Sequence, residues 1–256
     1  MIFFIRFWLI WAIFFSLQSA AAATEKVGTA FAVSDGYHIV TAAHVVSEKS
    51  CVFVGSPLWN SQEQGRVSHI VWQSATLVAL REIEDIALIR VENALPPLAV
   101  GDWRDEGIGS DILVVGFPLS DELGTSPKAA AGIISGGAVD PRMESLFQID
   151  VTVMPGHSGS PVITSNGTVI GLVKGRFRTN GSSNIGRVSF AVSGAAIEAL
   201  LASHDLPAAQ TVLENGMQKS DIYTESVNSV VLVFAGNEKA FTKRFGSAPP
   251  HTCAAV

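Results

Sequence analysis

Pro155-Gly156-His157-Ser158-Gly159-Ser160-Pro161-Val162-Ile163-Thr164-Ser165-Asn166-Gly167 is the stretch on which the reading of this chain turns. One serine lies among small residues, and a proline, a short β-branched run and an Asn-Gly pair follow it. Pro and Asn-Gly punctuate structure, and a Val-Ile run bounded by such residues reads as a strand. The serine therefore sits ahead of a strand and not at the head of a helix.

The same texture extends outward. Gly28–Val33 runs through the turn signal Ser34-Asp35-Gly36 into Tyr37–Ala42, which reads as a hairpin. Further strand candidates are Cys51–Val54, Val67–Trp72, Thr76–Arg81, Ile86–Val91, Asp111–Phe117, Leu146–Val153, Pro161–Thr164, Thr168–Lys174 and Arg187–Val192. Helical spacing emerges only at Gly194–Ser203, where Ile197, Leu200 and Leu201 recur on one face. The expectation is an all-β domain over 27–204 closed by one C-terminal helix. Residues 205–256 form an extension with one strand-like run, Ser229–Phe234.

Composition agrees. The chain has 256 residues, 48% hydrophobic and 16% charged, with 23 Gly and 11 Pro scattered as turns would be. The net charge of −6 offers no footprint for nucleic acid. Residues 1–23 carry one cation, Arg6, then the apolar stretch Phe7–Leu17 and a run of small residues, the layout of a cleaved signal peptide. An uncleaved membrane anchor is the alternative, because the alanines lengthen the apolar stretch. Cleavage removes Arg6 and no acid, which moves the net charge to −7. The mature form is then read as exported, periplasmic or secreted, and free of the membrane. Cys51 and Cys253 would meet an oxidising compartment there, so a disulfide between them is possible, as are two separate thiols.

Three segments carry chemistry. His44 follows the strand residues Thr41-Ala42, a junction from which an imidazole projects into a cleft. Asp85 precedes the apolar run Ile86-Ala87-Leu88-Ile89, a half-buried setting for orienting an imidazole. Ser158 lies among glycines, where a substrate carbonyl approaches the backbone closely. The amides of Gly156 and Ser158 can then point at one developing oxyanion. Each alone has an ordinary structural explanation: a packed histidine, a strand-start aspartate, a Gly-Ser turn. Together they supply the base, orienter and nucleophile of serine-type hydrolysis.

The order His44, Asp85, Ser158 resembles the trypsin-like (chymotrypsin-fold) serine proteases, nearest their compact bacterial branch of HtrA-type enzymes and glutamyl endopeptidases. Val27–Phe31, Thr41–Val46, Asp85–Ile89, Gly156–Pro161, Asn166–Gly171 and Ser189–Val192 carry the similarity, which spans 27–204. The resemblance implies two six-stranded antiparallel β-barrels with the cleft between them. His44 would serve as base and then acid, Asp85 as orienter and Ser158 as nucleophile, with Gly156 and Ser158 forming the oxyanion hole and polypeptides as substrates. His157 stands where the digestive enzymes have an acid that binds a freed N-terminus, so no activating cleavage beyond signal removal is implied. It is read as loop packing or a surface group. Thr152 occupies the position of the trypsins' pocket-base aspartate, and the pocket wall Leu172-Val173-Lys174-Gly175 lacks the histidine of glutamyl-specific relatives. The resulting expectation is cleavage after small or medium aliphatic residues.

Two other readings compete. Ser158, Asp221 and His251 have the chain order of an α/β-hydrolase triad, but its serine must lead into a helix. A barrel retained only for binding is the other, and covalent chemistry at Ser158 distinguishes it. Residues 205–256 are too few for the PDZ module usual in HtrA-type proteins, so neither that chaperone cycle nor its trimer is implied. The extension is expected to pack an extra strand. No metal-ligand spacing or phosphate-cradling loop appears, so no cofactor is expected.

Overall fold

The computed structural model describes residues 25–47, 51–59, 67–138, 144–176, 189–209 and 216–250. The signal-peptide reading of 1–23, Cys253 and His251 lie outside the described residues.

Twelve strands close into two six-stranded barrels, with every neighbouring pair antiparallel. The first contains β1 (Lys26–Val33), β2 (His38–Ala42), β3 (Cys51–Trp59), β4 (Val67–Arg81) and β5 (Ile86–Val91). The second contains β6 (Asp111–Gly116), β7 (Lys128–Gly136), β8 (Leu146–Ile149), β9 (Pro161–Thr164), β10 (Val169–Arg176) and β11 (Ser189–Ser193). Thr76–Arg81 is not a separate strand: it continues from Val67 as β4, whose register shifts against β5 between Leu77 and Ala79. β7 reads Lys-Ala-Ala-Ala-Gly-Ile-Ile-Ser-Gly, a composition poor in strand formers, and pairing with β6 and β8 holds it extended. The helix predicted at 194–203 is α4 (Gly194–Ala202), capped by the Ser193 hydroxyl accepting the Ala195 amide. Short helices precede it: α1 (Ala43–Val46), α2 (Trp103–Glu106) and α3 (Ser120–Leu123).

The sixth strand of the first barrel comes from the far end of the chain. β12 (Val230–Gly236) lies between β1 and β3, matching Lys26–Phe31 on one side and Cys51–Gly55 on the other. All seven of its residues are buried. Without it β1 and β3 would present open edges, so the barrels do not end at residue 204. The expected extra strand is an integral stave, flanked by α5 (Lys219–Ser226) and α6 (Glu238–Phe245). The outer face of the barrel there is aromatic: Phe241 packs against Phe53, Trp72, Phe234 and Phe245 at centroid distances of 4.8–5.5 Å. Such ring pairs add to simple area burial. Cys51 is paired opposite Gly236 and is not a free thiol.

Apolar side chains of both barrels and of β12 form one continuous core, and a second cluster fills the second barrel around Phe147 and Ile149. The cleft between the barrels is where the chemistry-bearing residues converge.

Candidate active site

The histidine is delivered by a single helical turn. β2 ends at Ala42 and α1 begins at once, which lifts His44 out of the strand with its side chain about half exposed. Asp85 closes the turn between β4 and β5 in the left-handed conformation (φ 66°), which Asp tolerates better than most residues. It is 6% exposed. That backbone twist turns both its carboxylate and its carbonyl back to α1. The His44 amide donates to Asp85 Oδ1 (2.9 Å), the Ala43 amide donates to the Asp85 carbonyl (3.1 Å), and His44 Nδ1 lies 2.9 Å from Oδ2 and 3.0 Å from Oδ1. A carboxylate accepts only, so the ring proton sits on Nδ1 and Nε2 is left as the basic nitrogen.

Ser158 reaches the same place from the second barrel. Its carbonyl accepts the Thr29 amide of β1 (2.8 Å). A Cβ placed on Gly28 would come within 2.8 Å of Val45 Cγ2 and 3.0 Å of the Ser158 carbonyl. Gly28 is thus the point at which α1 and the serine loop close on one strand. Gly159 has φ 87°, and a Cβ there would lie 2.1 Å from the Thr29 carbonyl. Glycine at both positions allows the barrels to meet this closely. Among the described residues no hydrogen bond runs from Ser158 Oγ to His44. In unliganded sites such bonds are commonly long and tighten around substrate.

The loop's amides divide into two groups. Those of His157, Gly159 and Ser160 donate to the carbonyls of Met154, Val173 and His157, at 2.8–3.0 Å. Those of Gly156 and Ser158 have no acceptor among the described residues. Pro155 has no amide, and Gly156 adopts φ 94°. Two N–H groups in one small loop beside a serine are thus left uncommitted among the described residues.

Thr29 ties this loop down, a role the sequence reading missed. Fully buried, its hydroxyl donates to the Gly156 carbonyl (2.7 Å) and accepts the Phe117 amide (3.1 Å). The signal was available: a threonine inside the apolar run of β1 must find partners for its hydroxyl. His157 is loop packing: at 1% exposure its Nδ1 accepts the Met154 amide (3.0 Å) while Nε2 is buried without a partner among the described residues. Desolvation pushes its pKa down to about 4.

The four pocket candidates separate. Thr152 is exposed, and Lys174 and Gly175 are half-buried. Val173 is fully buried in the second core, so only its backbone faces the serine loop, through bonds to Gly159 and Ser160. Asp221 lies on α5, and two antiparallel barrels with β9 after Ser158 are not the α/β-hydrolase architecture. Among the described residues, no three His, Cys, Asp or Glu side chains are grouped to hold a metal ion.

Two β-barrels, a carboxylate-bound histidine from the first and a glycine-set serine from the second define the chymotrypsin-like class. The sequence pattern of the family described as trypsin-like peptidase domain matches residues 28–172, more than half of the chain, and the chain belongs to that family. It is 32% identical over 199 residues to the uncharacterized protein y4bJ of Sinorhizobium fredii, covering 73% of this chain and 30% of that one. It is 29% identical over 161 residues to a DegP-like protein of Pseudomonas fulva assigned as a periplasmic serine endoprotease, covering 61% and 30%. The chain thus spans about a third or less of the curated relatives it matches. The crystal structure of the serine endoprotease from Yersinia pestis shares the fold with a TM-score of 0.54 and 22% identity, covering 70% of this chain and 57% of that one.

Proposed function

We propose that the protein is an exported serine endopeptidase. The observation that carries this is the bidentate seating of His44 on the buried Asp85, with Ser158 and two uncommitted amides across the cleft. Ser158 Oγ attacks the scissile carbonyl while His44 Nε2 takes its proton, and Asp85 stabilises the imidazolium that forms. The oxygen of the tetrahedral intermediate is received by the Gly156 and Ser158 amides. The C–N bond then breaks, His44 gives its proton to the departing amine, and the acyl group stays on Ser158 until a water, deprotonated by the same imidazole, releases it. Removing one oxyanion donor in such a site costs about 10²–10³ in turnover.

Export is supported by the layout of residues 1–23 and by the periplasmic assignment of the DegP-like relative. The preference for small or medium aliphatic residues before the cut rests on Thr152 and on Lys174 and Gly175 as the half-buried pocket wall. A quenched peptide library tests both activity and preference. The reading predicts turnover that vanishes in Ser158→Ala, with aliphatic residues dominating; acidic or basic dominance removes the specificity reading, and turnover surviving Ser158→Ala removes the mechanism.

A further inference from the structure

The Gly156 amide belongs to the Pro155–Gly156 peptide, and the other end of that peptide is held from outside the serine loop. The Pro155 carbonyl accepts the Leu119 amide at 2.8 Å. A flip of this peptide would lose that bond and turn the Gly156 N–H away from the oxyanion, so whatever fixes Leu119 fixes the hole.

Leu119 is a strained anchor. It is one of four non-glycine residues with positive φ among the described residues (φ 45°, ψ 51°), and its carbonyl accepts the amides of Glu122 (3.0 Å) and Leu123 (2.7 Å). A side chain pays for such a backbone conformation only where its surroundings impose it. The segment that follows Leu119 is held at two points from the tail. Arg244 Nη2 of α6 pairs with Asp121 Oδ1 at 2.6 Å, and Tyr223 of α5 donates its hydroxyl to the Pro127 carbonyl at 3.2 Å. Lys128 gathers the carbonyls of Leu123, Gly124 and Ser126 within the same segment. Arg244 is itself well placed, with a side chain only 16% exposed and Nη1 3.4 Å from Glu25 Oε1 at the start of β1. Its helix is capped by Asn237 and seated through Phe241 in the aromatic cluster on the first barrel.

We infer that residues 216–250 brace the oxyanion loop, and that Arg244 is a positioning residue for the reaction, acting through Asp121 and Leu119 on the Pro155–Gly156 peptide. The inference about rate rests on the proposed peptidase reading; the inference about the brace does not. The pair joins a largely buried Arg244 to an exposed Asp121, and a pair with one partner in water contributes little to global stability, so its loss leaves the barrels folded. Its effect is local, on a segment that opens independently of the core.

The experiment compares the full-length chain with Arg244→Met, Asp121→Asn and the exchanged pair Arg244→Asp/Asp121→Arg combined with Glu25→Gln, which removes the carboxylate that position 244 faces. Amide hydrogen exchange is read at Leu119 and at core strands, and turnover number and KM on one fluorogenic peptide. Loosening a donor without deleting it predicts a turnover number about tenfold lower, less than the roughly 10²–10³ of losing a donor outright, with KM within twofold. Leu119 exchange is expected to rise about tenfold in both single variants while core amides stay fixed, and the exchanged pair is expected to recover both readouts. Unchanged Leu119 exchange in both single variants would overturn the brace. A lower Tm with turnover number and KM both unchanged would reduce Arg244 to a structural residue. If the native chain turns over no peptide, the exchange result still decides the brace while the peptidase reading alone fails.

Discussion

Thr29→Val removes one oxygen and leaves the shape of β1 intact. In the native chain that oxygen serves two buried backbone groups on the second barrel, the Gly156 carbonyl at 2.7 Å and the Phe117 amide at 3.1 Å. The backbone bonds of the residue, Thr29 N–H to the Ser158 carbonyl and Thr41 Oγ1 to the Thr29 carbonyl, do not depend on its side chain. Each buried group left unpaired costs about 1–3 kcal/mol, so the substitution costs about 2–6 kcal/mol. The valine methyl would sit against those same two polar groups, so nothing offsets this cost, which is a large part of a typical domain's stability of about 5–15 kcal/mol. Thr29→Ser keeps both hydrogen bonds and loses one methyl, about 1 kcal/mol. Urea unfolding followed by tryptophan fluorescence separates them through the denaturation midpoint. Acylation by an active-site ester should slow more in valine than in serine, because the Gly156 carbonyl is no longer held. Equal midpoints and equal acylation rates for the two variants would refute the assignment of Thr29 as the tie between the barrels.

Three other outcomes follow from the same structure. Ending the chain after residue 209 removes β12 and exposes the edges of β1 and β3, so the product is expected to be unfolded or aggregated; a cooperative unfolding transition like that of the full chain would contradict the barrel order. His157, whose folded pKa of about 4 lies below the ordinary 6.5, stays neutral while the unfolded chain takes up a proton. Its contribution is therefore full above pH 6.5 and falls by up to about 1.4 kcal/mol per pH unit from 6.5 down to 4; His157→Asn should flatten that part of the stability–pH curve. Cys51 is bonded and the chain has one other cysteine, so intact mass without reductant is expected to be about 2 Da below the dithiol value, and reduction to cost about 2–4 kcal/mol.

Much of the site was readable in the sequence because its chemistry demands particular residue types at strand ends. His44, Asp85 and Ser158 stand out for that reason, and the run after Ser158 decides between a strand and a helix. What surrounds them was harder to read. The left-handed turn that aims Asp85 leaves no local mark beyond the aspartate itself, and the one-turn helix under His44 is shorter than any helical period can reveal. β7 escaped notice because Ala and Gly do not announce a strand that its neighbours impose. The Ser229–Phe234 run identified a strand but not its partners, since periodicity carries no information on pairing across 200 residues of chain. Val173 illustrates the opposite case: its backbone bonds the serine loop, but alternation along β10 turns its side chain into the core.

Ser158, His44 and Asp85 are proposed to act as one nucleophilic unit. Reaction of the full-length chain with a fluorophosphonate, followed by intact mass and peptide mapping, tests this. A single adduct on Ser158 is expected, lost in Ser158→Ala and His44→Ala, strongly slowed in Asp85→Asn and untouched in His251→Ala. A folded native chain that forms no adduct, or an adduct that survives His44→Ala and depends on His251, would contradict it.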